Sequence, residues 1–142
     1  MRILLSGYGK MGETIDRIAS GRKHKIIHKL NNTPTLEQLD EVDVVIDFSI
    51  PDAAFTNAKT VIQSKTPIVM GTTGWQSKFK DIEALVKQNN SSFLYAANFS
   101  LGVNLFFQLN QSLAAIMKNY KEYQPYLSET HHIQKIDAPS GT

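Results

Sequence analysis

Cysteine is absent from the 142 residues. That excludes disulfides, thiolate-bound zinc and cysteine nucleophiles, and it fits a reducing, cytoplasmic setting. Long apolar runs are missing as well. The N-terminal run Ile3-Leu4-Leu5 is far too short for a signal peptide, and no stretch approaches the roughly 20 apolar residues of a membrane span. Charge of one sign is scarce: 15 Lys and Arg against 13 Asp and Glu leave +2, too little to argue for nucleic acid or a membrane surface. Arg22, Lys23, Lys25 and Lys29 read as a solvated turn. The remainder, 42% hydrophobic and 20% charged, is the composition of a soluble globular protein. The length suits one domain, or one domain and part of another.

Strand and helix patterns alternate from the start. Arg2–Ser6 is a short apolar run ended by glycine, as a buried parallel strand would be. Met11, Ile15, Ile18 and Ala19 recur at helical spacing, and Gly21 closes that element. Residues 25–30 and 42–48 read as strands two and three, with a loop at 31–34. Pro51 then opens a helix through Ala54, Ala58, Val61 and Ile62. Residues 67–70 and 92–96 are two more strands, separated by a helix whose face carries Phe79, Ile82, Leu85 and Val86. Strands joined through helices imply an α/β fold: a Rossmann-type, doubly wound parallel sheet with helices on both faces. A further helix over 103–118 carries a stripe of Leu105, Leu109, Leu113 and Ile116, and residues 123–136 turn extended. The division expected is a dinucleotide-binding domain over 1–103 and, over 104–142, the incomplete beginning of a second, substrate-binding and oligomerisation domain.

The first loop spells Gly7-Tyr8-Gly9-Lys10-Met11-Gly12 between a strand and a helix. In that context the first glycine makes the tight turn, the second lets a pyrophosphate approach the backbone, and the third lets helix pack on strand. An acidic residue for the ribose 2′-hydroxyl is sought about 20 residues further on. Asn31 and Asn32 stand there instead, and Lys10 could meet a 2′-phosphate, so NADH and NADPH both stay open. Ligands of an open parallel sheet lie outside the carboxyl ends of its strands. Three loops fall there: Asp47–Pro51, Gly71–Trp75 and Asn98–Asn104. Phe48, Ser49, Gly71, Thr72, Thr73, Ala97, Asn98 and Phe99 are the candidates for holding a nicotinamide and its ribose. Asp47 fits equally as a structural residue at a strand end.

The segment from Glu129 to Thr142 gathers His131, His132 and Lys135 ahead of Asp137-Ala138-Pro139-Ser140-Gly141-Thr142, which reads as the opening of a helix with free backbone N–H groups. Cations feeding a helix start suit an anionic substrate. If 127–136 is a strand, His131 and Lys135 share one face and His132 takes the other. Histidine is the natural general acid near neutral pH, and lysine a point charge for a carboxylate. Two adjacent histidines on opposite faces lack the convergence of a metal site, so no metal is expected.

These landmarks, with Gly71-Thr72-Thr73-Gly74, Asn98-Phe99-Ser100-Leu101-Gly102-Val103-Asn104 and Glu129-x-His131-His132-x-x-Lys135-x-Asp137-Ala138-Pro139-Ser140-Gly141-Thr142, resemble the 4-hydroxy-tetrahydrodipicolinate (dihydrodipicolinate) reductases of lysine and diaminopimelate biosynthesis. The resemblance spans the whole chain and a little over half of such an enzyme, so the sequence is expected to be the N-terminal part of one. It implies hydride transfer from NADH or NADPH to a cyclic dicarboxylate, and a homotetramer when complete. It implies His131 as proton donor, Lys135 beside it in charge stabilisation and substrate binding, and His132 lining the pocket. Ser140, Gly141 and Thr142 would hold a substrate carboxylate. Within the first loop, Gly7, Gly9, Lys10, Met11 and Gly12 are the candidates for binding the cofactor.

Two other readings fit the same residues. One is a nucleotide-binding module without turnover. The other is a different two-domain Rossmann dehydrogenase of amino-acid metabolism; a semialdehyde enzyme of that kind would ordinarily use a nucleophilic cysteine.

Overall fold

In a computed structural model, which describes residues 1–131 and 133, the chain divides into one unit over residues 1–96 and a second beginning at Ala97. The first unit runs β1 (Arg2–Ser6), α1 (Lys10–Gly21), β2 (Lys25–Leu30), α2 (Leu36–Leu39), β3 (Val44–Asp47), α3 (Pro51–Gln63), β4 (Ile68–Met70), a 3₁₀ turn (Gln76–Lys78), α4 (Phe79–Asn89) and β5 (Phe93–Tyr95). All four strand pairings are parallel and the order is β2-β1-β3-β4-β5. The order reverses between β1 and β3, which opens a crevice at their carboxyl ends. The register there places Ser6 opposite Asp47, and Asp47 opposite Met70.

Helices cover both faces, because a parallel sheet is apolar on both. On one, Leu4, Val45, Ile68 and Met70 pack with Ala54, Ala58, Val61 and Ile62 of α3 and Ile82 of α4, all essentially inaccessible. Each such aliphatic side chain contributes about 1.5–3 kcal/mol by leaving water. On the other, Ile3 and Leu5 meet Ala19 of α1, flanked by Ile15, Ile26, Val44 and Ile46. The local signals are legible: Pro51 stands in the first turn of α3, and Asn90 ends α4 in the left-handed conformation at φ 51°. The short α2 has no counterpart among the elements expected from the sequence. It is set by a capping box, in which Thr35 Oγ1 accepts from the Gln38 N–H while Gln38 Oε1 accepts from the Thr35 N–H.

The predicted stripe of α1 holds only in part. Gly12 and Ala19 are buried, but Met11 and Ile18 are about half exposed. The reason is visible beside the helix: Ile15, Ile18, Val44, Ile46 and Val69 line an open apolar groove of about 580 Å³, so within the first unit α1 has sheet under one flank and no element against the other.

The second unit contains α5 (Leu101–Met117), capped by Ser100, whose Oγ accepts from the Val103 N–H at 3.4 Å. Its stripe of Leu101, Leu105, Leu109, Leu113 and Ile116 is exposed. The helix is not long and apolar enough to cross a membrane, and neither is any other among the described residues. The strand expected from residue 127 does not form over residues 127–131. A strand needs a neighbour for its N–H and C=O groups, and none among the described residues pairs with it. Residues 132 and 134–136 of that expectation lie outside the described residues.

Candidate nucleotide site at the strand ends

The glycine loop leaves β1 and opens α1, with Gly9 as the N-cap residue. Gly7 sits at φ +85°, and a Cβ there would overlap the carbonyl oxygen of Phe48, so only glycine fits. A Cβ on Gly12 would stand 2.6 Å from the Gly7 carbonyl oxygen, which is the close helix–strand approach expected of the third glycine. A Cβ on Gly9 would meet nothing within 4 Å. The loop therefore has open space over its second glycine, and no side chain caps the first turn of α1. First-turn amides lack intrahelical acceptors and carry the positive end of the helix dipole. The residues present thus fit a dinucleotide pyrophosphate.

Two further contacts hold the loop. The Tyr8 N–H donates to Asn31 Oδ1 at 2.8 Å, and the Gly7 N–H to the Leu30 carbonyl at 2.7 Å. The Tyr8 hydroxyl donates to Asp16 Oδ2 at 2.6 Å, where Lys29 Nζ also binds at 2.7 Å while lying over the Tyr8 ring. The Lys29 ammonium, then the Tyr8 hydroxyl, holds the Asp16 carboxyl below the ordinary carboxylate range, and Asp16 in turn pushes Lys29 and Tyr8 up. Lys29 is thereby committed to the loop's support.

Phe48 and Ser49 follow β3; Gly71, Thr72 and Thr73 follow β4. A Cβ on Gly71 would overlap the Phe48 ring, and Phe48 is also what meets Gly7. The first, third and fourth strand-end loops thus converge on Phe48. The hydroxyls of Ser49 and Thr72, expected to face the nicotinamide and ribose, instead donate to Asp47 Oδ1 at 2.8 and 2.7 Å. The Ser49 N–H also donates to Asp47 Oδ1, at 3.1 Å. Trp75 is buried after these loops, its Nε1–H donating to the Thr72 carbonyl at 2.6 Å. Asn57 of α3, which sequence reasoning missed, is buried beneath the same loops and donates to Asp47 Oδ2, Ser6 Oγ and Ser49 Oγ. A lone amide among alanines on a buried helix face was the available signal.

Gly7, Gly9, Lys10, Met11, Gly12, Phe48, Ser49, Gly71, Thr72 and Thr73 all belong to the first unit. Ala97, Asn98 and Phe99 belong to the second. There Asn98 Oδ1 accepts from the Ser100 N–H at 2.8 Å, and Asn104 Nδ2 donates to the Asn98 and Ser100 carbonyls at 3.0 and 2.8 Å, which shapes the entry into α5. His131 Nε2 lies 3.4 Å from Glu129 Oε2. His132, Lys135, Ser140, Gly141 and Thr142 lie outside the described residues.

A parallel sheet reversing between β1 and β3, with a glycine loop at the reversal, defines the Rossmann-type class of nucleotide-binding folds. Solved structures agree on the fold. A putative homoserine dehydrogenase from Archaeoglobus fulgidus superposes with a TM-score of 0.55 at 12% identity, over 67% of this chain and 42% of its own. An aspartate dehydrogenase from Thermotoga maritima gives 0.54 at 12% identity, over 74% and 49%. Family models narrow the class. Residues 1–99 match the N-terminus of dihydrodipicolinate reductase, and residues 102–142 match its C-terminus. The chain belongs to the dihydrodipicolinate reductase family. Among its relatives, the 4-hydroxy-tetrahydrodipicolinate reductase of Christiangramia forsetii is 48% identical over 144 residues, covering all of this chain and 60% of the relative. That of Rickettsia rickettsii is 40% identical over 149 residues, again covering all of this chain and 60% of the relative. The chain thus spans about three-fifths of the length of these relatives.

Proposed function

We propose that this chain supplies the cofactor-binding part, and the beginning of the substrate-binding part, of an NAD(P)H-dependent reductase. Its substrate is 4-hydroxy-tetrahydrodipicolinate, reduced to tetrahydrodipicolinate in cytoplasmic lysine and diaminopimelate biosynthesis. The observation that carries this is the Gly7–Gly12 loop, open over Gly9, in a chain aligned end to end with relatives named for that reaction. The proposed division is residues 1–103 for the cofactor and 104–142 for substrate and assembly. The break between the family matches at 99 and 102 supports it.

A bound reduced nicotinamide supplies the hydride; everything else falls to the protein. The first turn of α1 and the loop from Gly7 to Gly12 hold the pyrophosphate. The backbone of Phe48, Ser49, Gly71, Thr72 and Thr73, with Ala97, Asn98 and Phe99, orients the nicotinamide and its ribose. His131 donates the proton. Lys135 steadies the charge that develops as the substrate is reduced, and His132, Ser140, Gly141 and Thr142 seat the dicarboxylate. The complete protein assembles as a homo-oligomer, a tetramer, to which the exposed stripe of α5 would contribute. Either NADH or NADPH fits. Asn31 in place of an acidic residue removes the repulsion that would turn a 2′-phosphate away.

The test is His131→Ala in the complete polypeptide. A lost general acid lowers kcat by about 10²–10⁴-fold with cofactor affinity kept. Equal loss of both would remove His131 from the proton-donating role. A parent protein that binds cofactor and never reduces the dicarboxylate would instead be a nucleotide-binding module without turnover.

A further inference from the structure

Asp47 is completely buried at the carboxyl end of β3, and among the described residues no cation pairs with it. Its carboxylate is satisfied by neutral donors alone. Oδ1 accepts from the Ser49 N–H at 3.1 Å, the Ser49 hydroxyl at 2.8 Å and the Thr72 hydroxyl at 2.7 Å. Oδ2 accepts from the Ser6 hydroxyl at 2.6 Å and from Asn57 Nδ2 at 3.0 Å. These donors come from the end of β1, the loop after β3, the loop after β4 and the second turn of α3. Among the described residues, Asn57 Oδ1 is left as the buried side-chain polar atom without a partner, because its amide is turned to aim Nδ2 at the carboxylate.

Stability alone does not call for this arrangement. Burying a charge carries a desolvation penalty that good hydrogen bonds at best offset, and an apolar group of similar size often serves a core as well. What the carboxylate supplies is geometry. Its oxygens hold the Ser49 and Thr72 hydroxyls and the Ser49 N–H inward, and so tie two loops to one atom. The same loops close on Phe48, against which neither Gly7 nor Gly71 has room for a Cβ.

We propose that Asp47 is the positioning residue of the cofactor site: without touching the ligand, it locks the ends of β1, β3 and β4 into the one arrangement on which the nicotinamide and ribose are seated. The proposal rests on the cofactor-binding reading above. It makes Ser49 and Thr72 intermediaries, whose hydroxyls serve Asp47 and not the cofactor.

The experiment compares the complete polypeptide with Asp47→Asn, Ser49→Ala, Thr72→Val and, as a stability control, Ile62→Ala near the far end of α3. NADPH and NADH affinities are measured by calorimetry well below each melting temperature. Asp47→Asn is expected to weaken both cofactors about tenfold or more, and the two hydroxyl variants by about threefold each, amounts typical of one or two lost hydrogen bonds. Ile62→Ala is expected to melt earlier with affinity unchanged. Asp47→Asn combined with Thr72→Val should be little worse than Asp47→Asn alone, since both remove the same contact. If Asp47→Asn does not fold, the two hydroxyl variants carry the test. Affinities that simply follow melting temperature through the whole set, or variants that bind like the parent, would overturn the positioning role alone. A folded parent that binds neither cofactor would overturn the cofactor reading and this inference together.

Discussion

The N–H of Tyr8, inside the glycine loop, donates to the carboxamide oxygen of Asn31 at the end of β2, 2.8 Å away. The position proposed to read the adenosine ribose is therefore bonded to the loop proposed to hold the phosphates. An aspartate at 31 could accept the same hydrogen bond while adding a negative charge. Asn31→Asp is expected to leave the fold intact and shift the ratio of NADPH to NADH dissociation constants by about tenfold or more toward NADH. Competitive titration of the two cofactors measures it. An unchanged ratio would remove Asn31 from cofactor selection.

The glycines of the loop separate folding from binding. Gly7 has φ +85° and Phe48 against it; Gly9 has ordinary extended backbone and open space. Gly7→Ala should destabilise by about 2 kcal/mol or more, from strain plus overlap. Gly9→Ala should stay within about 0.5 kcal/mol of the parent and yet bind cofactor poorly, because its methyl group fills the space over the phosphates. Urea midpoints and cofactor titrations on the two variants give the answer. A Gly9→Ala protein that binds normally would mean the space over that glycine is not the ligand's.

Acid weakens the fold in a direction fixed by three surface carboxyls. The Arg2 backbone N–H and guanidinium hold Asp43 below its ordinary range; Lys29 does the same for Asp16, and Lys87 for Glu83. For a carboxyl lowered in the folded state, the stabilisation is fully present above the unfolded value, near pH 4. It is lost as pH falls through the lower folded value. Urea midpoints should therefore hold steady from neutral pH to about 5 and fall below 4, and Asp43→Asn should flatten part of that fall. A midpoint that does not change down to pH 3 would contradict the assignment.

The repeating units of the fold were open to inspection in the sequence, because each strand is a short apolar run and each long helix repeats its apolar residues at 3.6. The glycine loop was equally plain, since its spacing and its strand–helix setting are both local. Less visible was anything decided by tertiary contact. Met11 and Ile18 carry the right spacing, but their exposure depends on what lies beside α1. Ser49 and Thr72 look like ligand-binding hydroxyls until Asp47 is seen between them, and Asn57 gains its meaning only from strands 10 and 51 residues earlier. The short α2 could have been found, as Thr35-x-x-Gln38 is a capping-box pattern. The extended stretch from Tyr123 was predicted from side chains alone, and a strand also needs a partner.

The most direct test of the account is a titration of this chain with NADPH and NADH, following the fluorescence of Trp75, the single tryptophan, whose indole is bonded to the Thr72 carbonyl in the proposed nicotinamide loop. Circular dichroism in the same buffer establishes that the sheet is folded. The account predicts saturable quenching, abolished or much weakened by Gly9→Ala. A folded protein whose Trp75 signal responds to neither cofactor, with calorimetry equally silent, would contradict it.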